Sequence, residues 1–239
     1  MKKTVLINGG SRGIGRAMVE LFCENGYSVA FTYKSSDEAA KELSARTGAL
    51  AIKADSAQEC EVLRAVDVAE EKLGFIEVLI NNAAVSSFSL FTDLTYDAWR
   101  EAFSVNVDGA FFYSRRLLSK MISNKRGRII NVSSMWGSVG SSCEVHYSAT
   151  KAALIGMTKA LAKEVGPSGI TVNCIAPGVI NTDMNAALSE EDKAALCEET
   201  PLMRMGKPSE VAAAALYLAG EDASFITGEV LNLSGGFII

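Results

Sequence analysis

The 239-residue chain is 49% hydrophobic and carries 23 Lys+Arg against 28 Asp+Glu, a formal net charge of −5. A mean hydropathy of +0.18 supports a sizeable core and excludes a disordered chain, while the acidic balance excludes a surface built to attract nucleic acid or anionic membrane. Five scattered cysteines (Cys23, Cys60, Cys143, Cys174 and Cys197) form no CxxC pair, which predicts reduced thiols in a cytoplasmic protein rather than a disulfide framework or a zinc site.

In chain order, "TVLING" at 4–9 reads as a strand, and "RAMVELFCENG" at 16–26 as an amphipathic helix capped at Gly26. "YSVAFTY" at 27–33 is the second strand, and "SSDEAAKELSART" at 35–47 opens a helix with serine caps and acids in its first turn. "LAIKAD" at 50–55 is the third strand; a helix ending near Lys72 leads to the fourth, "IEVLINN" at 76–82. A long helix runs through "NVDGAFFYSRRLLSKMI" at 106–122 and is followed by the strand "RIINVSS" at 128–134. The Ala-rich helix "HYSATKAALIGMTKALAKEVG" at 146–166 precedes the sixth strand, "ITVNCIAPG" at 170–178. A polar stretch, a helix around "SEVAAAALYLAG" at 209–220 and a closing "EVLNLSGG" at 229–236 complete the chain. The strands are apolar throughout and alternate with helices, the pattern of a parallel sheet covered on both faces. No linker or repeat divides the chain, so the reading is one α/β domain over 1–239. The run at 211–219 is half the length of a membrane span, and the first apolar run is too short for a signal peptide.

Two features carry chemistry. Gly9, Gly13 and Gly15 lie between the first strand and the first helix, where free amides and the helix dipole face an anion. The loop (Gly9, Gly10, Ser11, Arg12, Gly13, Ile14, Gly15) is therefore a candidate phosphate cradle. Tyr147 and Lys151 are four apart on one helix face. Bringing a tyrosine from a pKa of about 10 toward neutrality takes roughly 3–4 kcal/mol. An ammonium about 4 Å away at an effective dielectric near 20 supplies about 4 kcal/mol. The pair is expected to form an acid/base unit with a lowered tyrosine pKa; in isolation, a tyrosine over a solvated lysine stays open. His146, the only histidine, has no metal or triad partner and is expected at a pocket edge or a solvated helix start. Cys143 and Glu144, with Met135 and Trp136, are expected beside the substrate entrance.

In order, the glycines, "NNAA" at 81–84, Asn106, Ser134, the Tyr147-x-x-x-Lys151 pair and Pro177–Gly178 resemble the short-chain dehydrogenase/reductase family over nearly the whole chain. Asn8 stands where that family usually has Thr, and Ala84 where it usually has Gly. The resemblance implies a Rossmann-type doubly wound fold in which hydride passes from nicotinamide C4 to a ketone carbon while Tyr147 protonates the oxygen. It implies that Ser134 hydrogen-bonds the substrate carbonyl and that Asn106 supports a water relay to Lys151. Tyr147 and Lys151 also contact the coenzyme, Asp55 and Ser56 its adenine, and Asn82 its ribose region. Pro177, Gly178 and Ile180 to Thr182 close over the nicotinamide, with a lid at 185–205.

An NAD enzyme of this fold places an acid after the second strand, but here the sequence is "FTYKSS". Asp37 follows two serines at a helix start, where acids belong for dipole reasons. Arg12 and Lys34 are suited to neutralise a 2′-phosphate, so NADPH is the expected coenzyme. "GITVNCIAPGVINTDM", "PLMRMGKPSEVAAAALYLA" and "SFITGEVLNLSGG" resemble the 3-oxoacyl-[acyl-carrier-protein] reductases. That branch implies a ketone on acyl carrier protein and a homotetramer in which Ala152, Ala153 and Ala160 fit close helix packing, although core burial also selects alanine. "SSMWGSVGSSCEVHYSATKA" is similar to a related branch that reduces the 5-aminopentanone group of modified elongation factor P. The alternative from another class, a nucleotide sensor without turnover, conflicts with the intact Tyr147/Lys151 pair.

Overall fold

A computed structural model describes residues 2–183 and 189–238. Its strands follow from the two-residue alternation of side chains. In β1 (Thr4–Asn8), Val5 and Ile7 enter one buried cluster and Leu6 the other. In β4 (Val78–Asn81), Val78 and Ile80 divide from Leu79 in the same way. The other strands are β2 (Ser28–Tyr33), β3 (Leu50–Lys53), β5 (Gly127–Val132), β6 (Ile170–Pro177) and β7 (Val230–Leu233). Among the described residues they form one parallel sheet, ordered β3-β2-β1-β4-β5-β6-β7.

The helices are α1 (Gly13–Glu24), α2 (Asp37–Thr47), α3 (Glu59–Leu73), α4 (Tyr96–Phe103), α5 (Gly109–Asn124), α6 (Trp136–Val139), α7 (Val145–Val165), α8 (Glu190–Glu199) and α9 (Pro208–Ala219). Met18 and Phe22 of α1, Leu43 of α2 and Val211 of α9 cover one face of the sheet. Val62 of α3, Leu117 of α5 and Val165 of α7 cover the other. This is the doubly wound architecture expected from the sequence.

Three local features differ from the expectation. The long helix before β5 contains a π-helical turn, Ser104–Asp108, between α4 and α5. The polar stretch after β6 contains α8, capped by a reciprocal Ser189–Asp192 box. Within the expected lid, 185–188 lie outside the described residues. At α2, Asp37 and Glu38 occupy the first turn, but the Ser36 side chain makes no capping bond.

The strand order reverses at β1, which pairs with β2 on one side and β4 on the other. The C-terminal ends of β1 and β4 therefore open the crevice where this class of sheet binds ligands. Three asparagines in register mark that end: Asn8 opposite Asn81, and Asn81 opposite Asn131. Asn8 Nδ2 donates to Asn81 Oδ1 (2.9 Å), Asn81 Nδ2 to Asn131 Oδ1 (2.9 Å), and Asn131 Nδ2 to Thr158 Oγ1 of α7 (2.8 Å). This buried ladder fixes β1, β4, β5 and α7 relative to one another.

Candidate active site

The glycine loop leaves β1 and enters α1. Gly9 has φ +66°, and a Cβ there would stand 2.8 Å from Ala83 Cα, so a side chain is excluded by both conformation and space. Asn82 Nδ2 donates to Gly9 O at 2.9 Å, locking the loop to the end of β4. The first amides of α1 have no intrahelical acceptor. Arg12 caps none of them through its side chain, and the first turn holds no acid. A phosphate fits that donor set. The Gly10 amide is used internally, donating to Thr32 O at 2.9 Å. Thr182 reaches over the same loop; its Cγ2 lies 3.3 Å from where a Cβ on Gly13 would stand.

At the adenosine end, Lys34 Nζ lies 2.8 Å from Asp55 Oδ2, so the structure brings together two predicted coenzyme residues. They line a cavity of about 390 Å³ with Lys53, Glu61 and Arg64. Ser56 is buried nearby. Asp37 is engaged elsewhere: Lys53 Nζ donates to it at 2.8 Å and the Tyr33 phenol at 3.3 Å. The helix-start reading of Asp37 is the one the geometry supports.

The two departures from the family pattern are absorbed. Asn8 Oδ1 accepts the amides of Asn82 (2.7 Å) and Ala83 (2.6 Å). Ala84 is not among the residues with positive φ, so its methyl group brings no backbone strain.

Ser134 follows β5, and Tyr147 and Lys151 lie in the first two turns of α7. Lys151 is 2% exposed, donates from Nζ to Val132 O at 2.8 Å and stands 5.4 Å from the centroid of the Tyr147 ring. Ser133 donates to Lys151 O (2.8 Å), so it anchors the helix and leaves the cleft to Ser134. Burial pushes Tyr147 up to about 12; the Ser134 hydrogen bond opposes this and Glu144 adds to it. Burial also draws Lys151 down to about 8. The lowered tyrosine expected from the sequence is thus reversed, because the ammonium is tied to a strand carbonyl beside the ring and does not offset desolvation of the phenolate.

Asn106 sits in the π-helical turn, a distortion often found at functional sites. Its Oδ1 accepts the Val85 amide (2.8 Å), while Nδ2 donates to Val85 O and to Thr150 Oγ1 (both 3.0 Å). Asn106 therefore connects the segment after β4 with α7 next to Lys151. His146 is 1% exposed, with Nε2 3.0 Å from Ser87 Oγ. This corrects the expectation of a solvated or pocket-edge histidine, since the first turn of α7 packs on the segment after β4. Ser86 Oγ donates to Glu144 Oε1 at 2.6 Å, a second tie between the same segments. Trp136 packs edge-on against Phe237, with centroids 5.5 Å apart. Pro177 ends β6, with Gly178 beyond it against Ser234, and Ile180 bridges to Gly206.

Residues 9–238 match the family model described as "Enoyl-(Acyl carrier protein) reductase". The 3-oxoacyl-[acyl-carrier-protein] reductase of Aquifex aeolicus is 41% identical over 239 residues, covering 98% of this chain and 96% of that protein. The chain belongs to the short-chain dehydrogenase/reductase family. A short-chain dehydrogenase/reductase from Serratia marcescens superposes with a TM-score of 0.93 at 36% identity, covering 98% of this chain and 97% of the other. A blue fluorescent protein from a metagenomic library, solved in complex with NADPH, gives a TM-score of 0.91 at 36% identity, covering 99% and 98%. Like its family, the chain is an oxidoreductase of carbonyl and hydroxyl groups. Among the described residues no helix is long and apolar enough to cross a membrane, and no cluster of side chains suits a metal ion.

Proposed function

We propose that the chain is an NADPH-dependent carbonyl reductase that reduces the 3-oxo group of an acyl chain held on acyl carrier protein. The observation that carries this reading is buried Lys151, bonded to the β5 carbonyl of Val132 (2.8 Å) with its Nζ 5.4 Å from the centroid of the Tyr147 ring, next to Ser134 at the end of the sheet that holds the glycine loop. The coenzyme, when bound, supplies a hydride to the carbonyl carbon and leaves oxidised. Ser134 donates a hydrogen bond to the carbonyl oxygen, which takes the electron pair of the breaking C=O π bond. Tyr147 gives its proton to that oxygen, completing the alcohol, and is reprotonated from solvent through Lys151, with Asn106 holding the relay. A phenol that keeps its proton to about pH 12 is in the correct state to act as the acid in reduction.

The Gly9–Gly15 amides would hold the pyrophosphate, and Asp55, Ser56 and Asn82 the adenosine side. Pro177, Gly178, Ile180 and Thr182 would border the nicotinamide. Arg12 is exposed and Lys34 is 62% exposed in its side chain, paired with Asp55, so both cations are free to reach a 2′-phosphate. The NADPH complex of the structural relative and the kinship with carrier-protein reductases support the coenzyme and the substrate. A homotetramer fits the exposed Ala152, Gly156 and Ala160 on α7 and the exposed Phe225.

Coenzyme oxidation with acetoacetyl-[acyl-carrier-protein] tests the reading. Turnover with NADPH over NADH is expected, and Tyr147→Phe should lower kcat by about 10²- to 10⁴-fold while still binding NADPH. Preference for NADH would overturn the coenzyme assignment, and full activity of Tyr147→Phe would overturn the mechanism.

A further inference from the structure

His146 is buried, polar and without a task in the chemistry above, and it stands next to Tyr147 in the chain. It is 1% exposed; Nε2 lies 3.0 Å from Ser87 Oγ, while Nδ1 is sealed from solvent and has no hydrogen-bond partner among the described residues. A ring nitrogen left unpaired in the interior carries a penalty that leucine at the same place would not. What distinguishes the imidazole from leucine there is the bond from its other nitrogen to Ser87.

That bond is one of several that tie the start of α7 to the segment 85–89, which follows β4 at the crevice end of the sheet. Asn106 links Val85 to Thr150, Ser86 Oγ donates to Glu144 Oε1, and the Ser89 amide donates to Cys143 O at 2.9 Å. Cys143 and Glu144 precede α7 and Thr150 lies in its second turn, so the bond to His146 is the one of these that grips the first turn. The segment is a firm reference, because its approach from β4 is held by Asn8, whose Oδ1 accepts the Ala83 amide at 2.6 Å. Farther along the helix, Lys151 Nζ donates to Val132 O of β5. The stretch that carries Tyr147 is thus fixed on both sides of the phenol in sequence, by Ser87 before it and by Val132 after it. Neighbouring residues of a helix point about 100° apart, so the imidazole acts on the tyrosine through the backbone of the turn.

We propose that His146 is a positioning residue: its hydrogen bond to Ser87 sets the rotation of the first turn of α7 and so aims the Tyr147 phenol at the carbonyl oxygen. The inference rests on the acid role of Tyr147 proposed above and adds the pair of side chains that holds that acid in line. Neither His146 nor Ser87 takes a step in the reaction. Proton transfer needs the phenol within hydrogen-bond reach of the oxygen, and a misplacement of about 1 Å can lower a rate about 10²-fold. The effect falls on kcat, because the glycine loop is anchored separately, through Asn82 Nδ2 to Gly9 O.

The test measures kcat and KM of the full chain with NADPH and acetoacetyl-[acyl-carrier-protein]. His146→Leu fills a similar space without a hydrogen bond and should lower kcat by about 10- to 100-fold, with the KM for NADPH near that of the wild type. His146→Gln can present either a donor or an acceptor to the Ser87 hydroxyl and should restore most of the rate. Ser87→Ala should reproduce the loss, and the double variant Ser87→Ala/His146→Leu should lose no more than either single change. A purely structural role is separated by the background of Tyr147→Phe: once the phenol is gone, adding His146→Leu should leave the residual rate unchanged. A kcat for His146→Leu close to that of the wild type overturns the proposal. So does a Gln variant no better than Leu, or a further fall of the residual rate in the Tyr147→Phe background. Should His146→Leu not fold, Ser87→Ala removes a single oxygen and decides the matter, since full kcat there overturns the proposal. Full activity of Tyr147→Phe would instead refute the acid role on which the inference rests.

Discussion

Tyr147 and Lys151 show how burial sets the working range of a site. Lys151 is drawn down to about 8 by burial, whereas Tyr147 is pushed up to about 12. Across the accessible pH range the tyrosine therefore keeps its proton, and the lysine is the group that titrates. The expected kcat/KM for NADPH is flat below about pH 8 and falls about tenfold per unit above it, since this parameter reports groups of the free enzyme. Lys151→Arg, which stays charged, should lose that limb even if its overall rate is lower. Stability changes in the opposite direction. Lys151 is a base whose folded pKa lies below its unfolded value, so the unfolded chain binds more protons between about 8 and 10.5. The cost of burying the charge is therefore largest below about 8 and is relieved as pH rises toward 10.5, by up to about 3 kcal/mol. A rate limb centred elsewhere, or urea-unfolding stability that falls across this window, would show that another group governs both effects.

Among the elements, the asparagine ladder does most to place the site. Asn8 stands where the family usually has Thr, and from sequence it promises only a small perturbation. Its larger role depends on strand register, which sequence does not reveal: only pairing sets Asn8 opposite Asn81 and Asn81 opposite Asn131. In Asn8→Ala the amides of Asn82 and Ala83 lose their shared acceptor and Asn81 Oδ1 loses its donor. Each buried group left unpaired costs about 1–3 kcal/mol, so three give about 3–9 kcal/mol. With Asn82 and Ala83 only half-buried, a loss toward the lower end, about 3–5 kcal/mol, is expected. Asn8→Thr returns a hydroxyl acceptor and should recover part of it. Equal urea midpoints for the wild type and Asn8→Ala would mean that the ladder is not holding these strands together. Other elements were hidden for different reasons. The segment α8, "EEDKAALCEE", has no apolar face to reveal its period, and only the Ser189–Asp192 capping box marks it. The π-helical turn leaves no compositional trace, and His146 gives no sign in its neighbours that the first turn of α7 is covered.

For the whole molecule, the doubly wound sheet was legible because every strand is a short apolar run bounded by turn residues, and the ordered motifs fall at the strand ends that open the crevice. The substrate was not. The two substrates that the sequence brings into contention differ in whether the ketone carries an amine, and no motif spacing distinguishes them. Assembly lies between these cases. The alanines of α7 suit either a core or an interface, and the structure separates the two: Leu154 and Thr158 face inward, whereas Ala152, Gly156 and Ala160 line the exposed side at four-residue intervals. If that side packs against another copy in a tetramer, Gly156 is the position to block. A Cβ there would meet nothing within 4 Å in the single chain, and replacing a mid-helix glycine by arginine improves helix propensity. Gly156→Arg should therefore fold, bind NADPH and scatter light as a smaller species than the wild type. The wild type's Tm should rise with protein concentration, as linkage to assembly requires, and the variant's should not. A Gly156→Arg protein that remains tetrameric would place the interface on another face of the molecule.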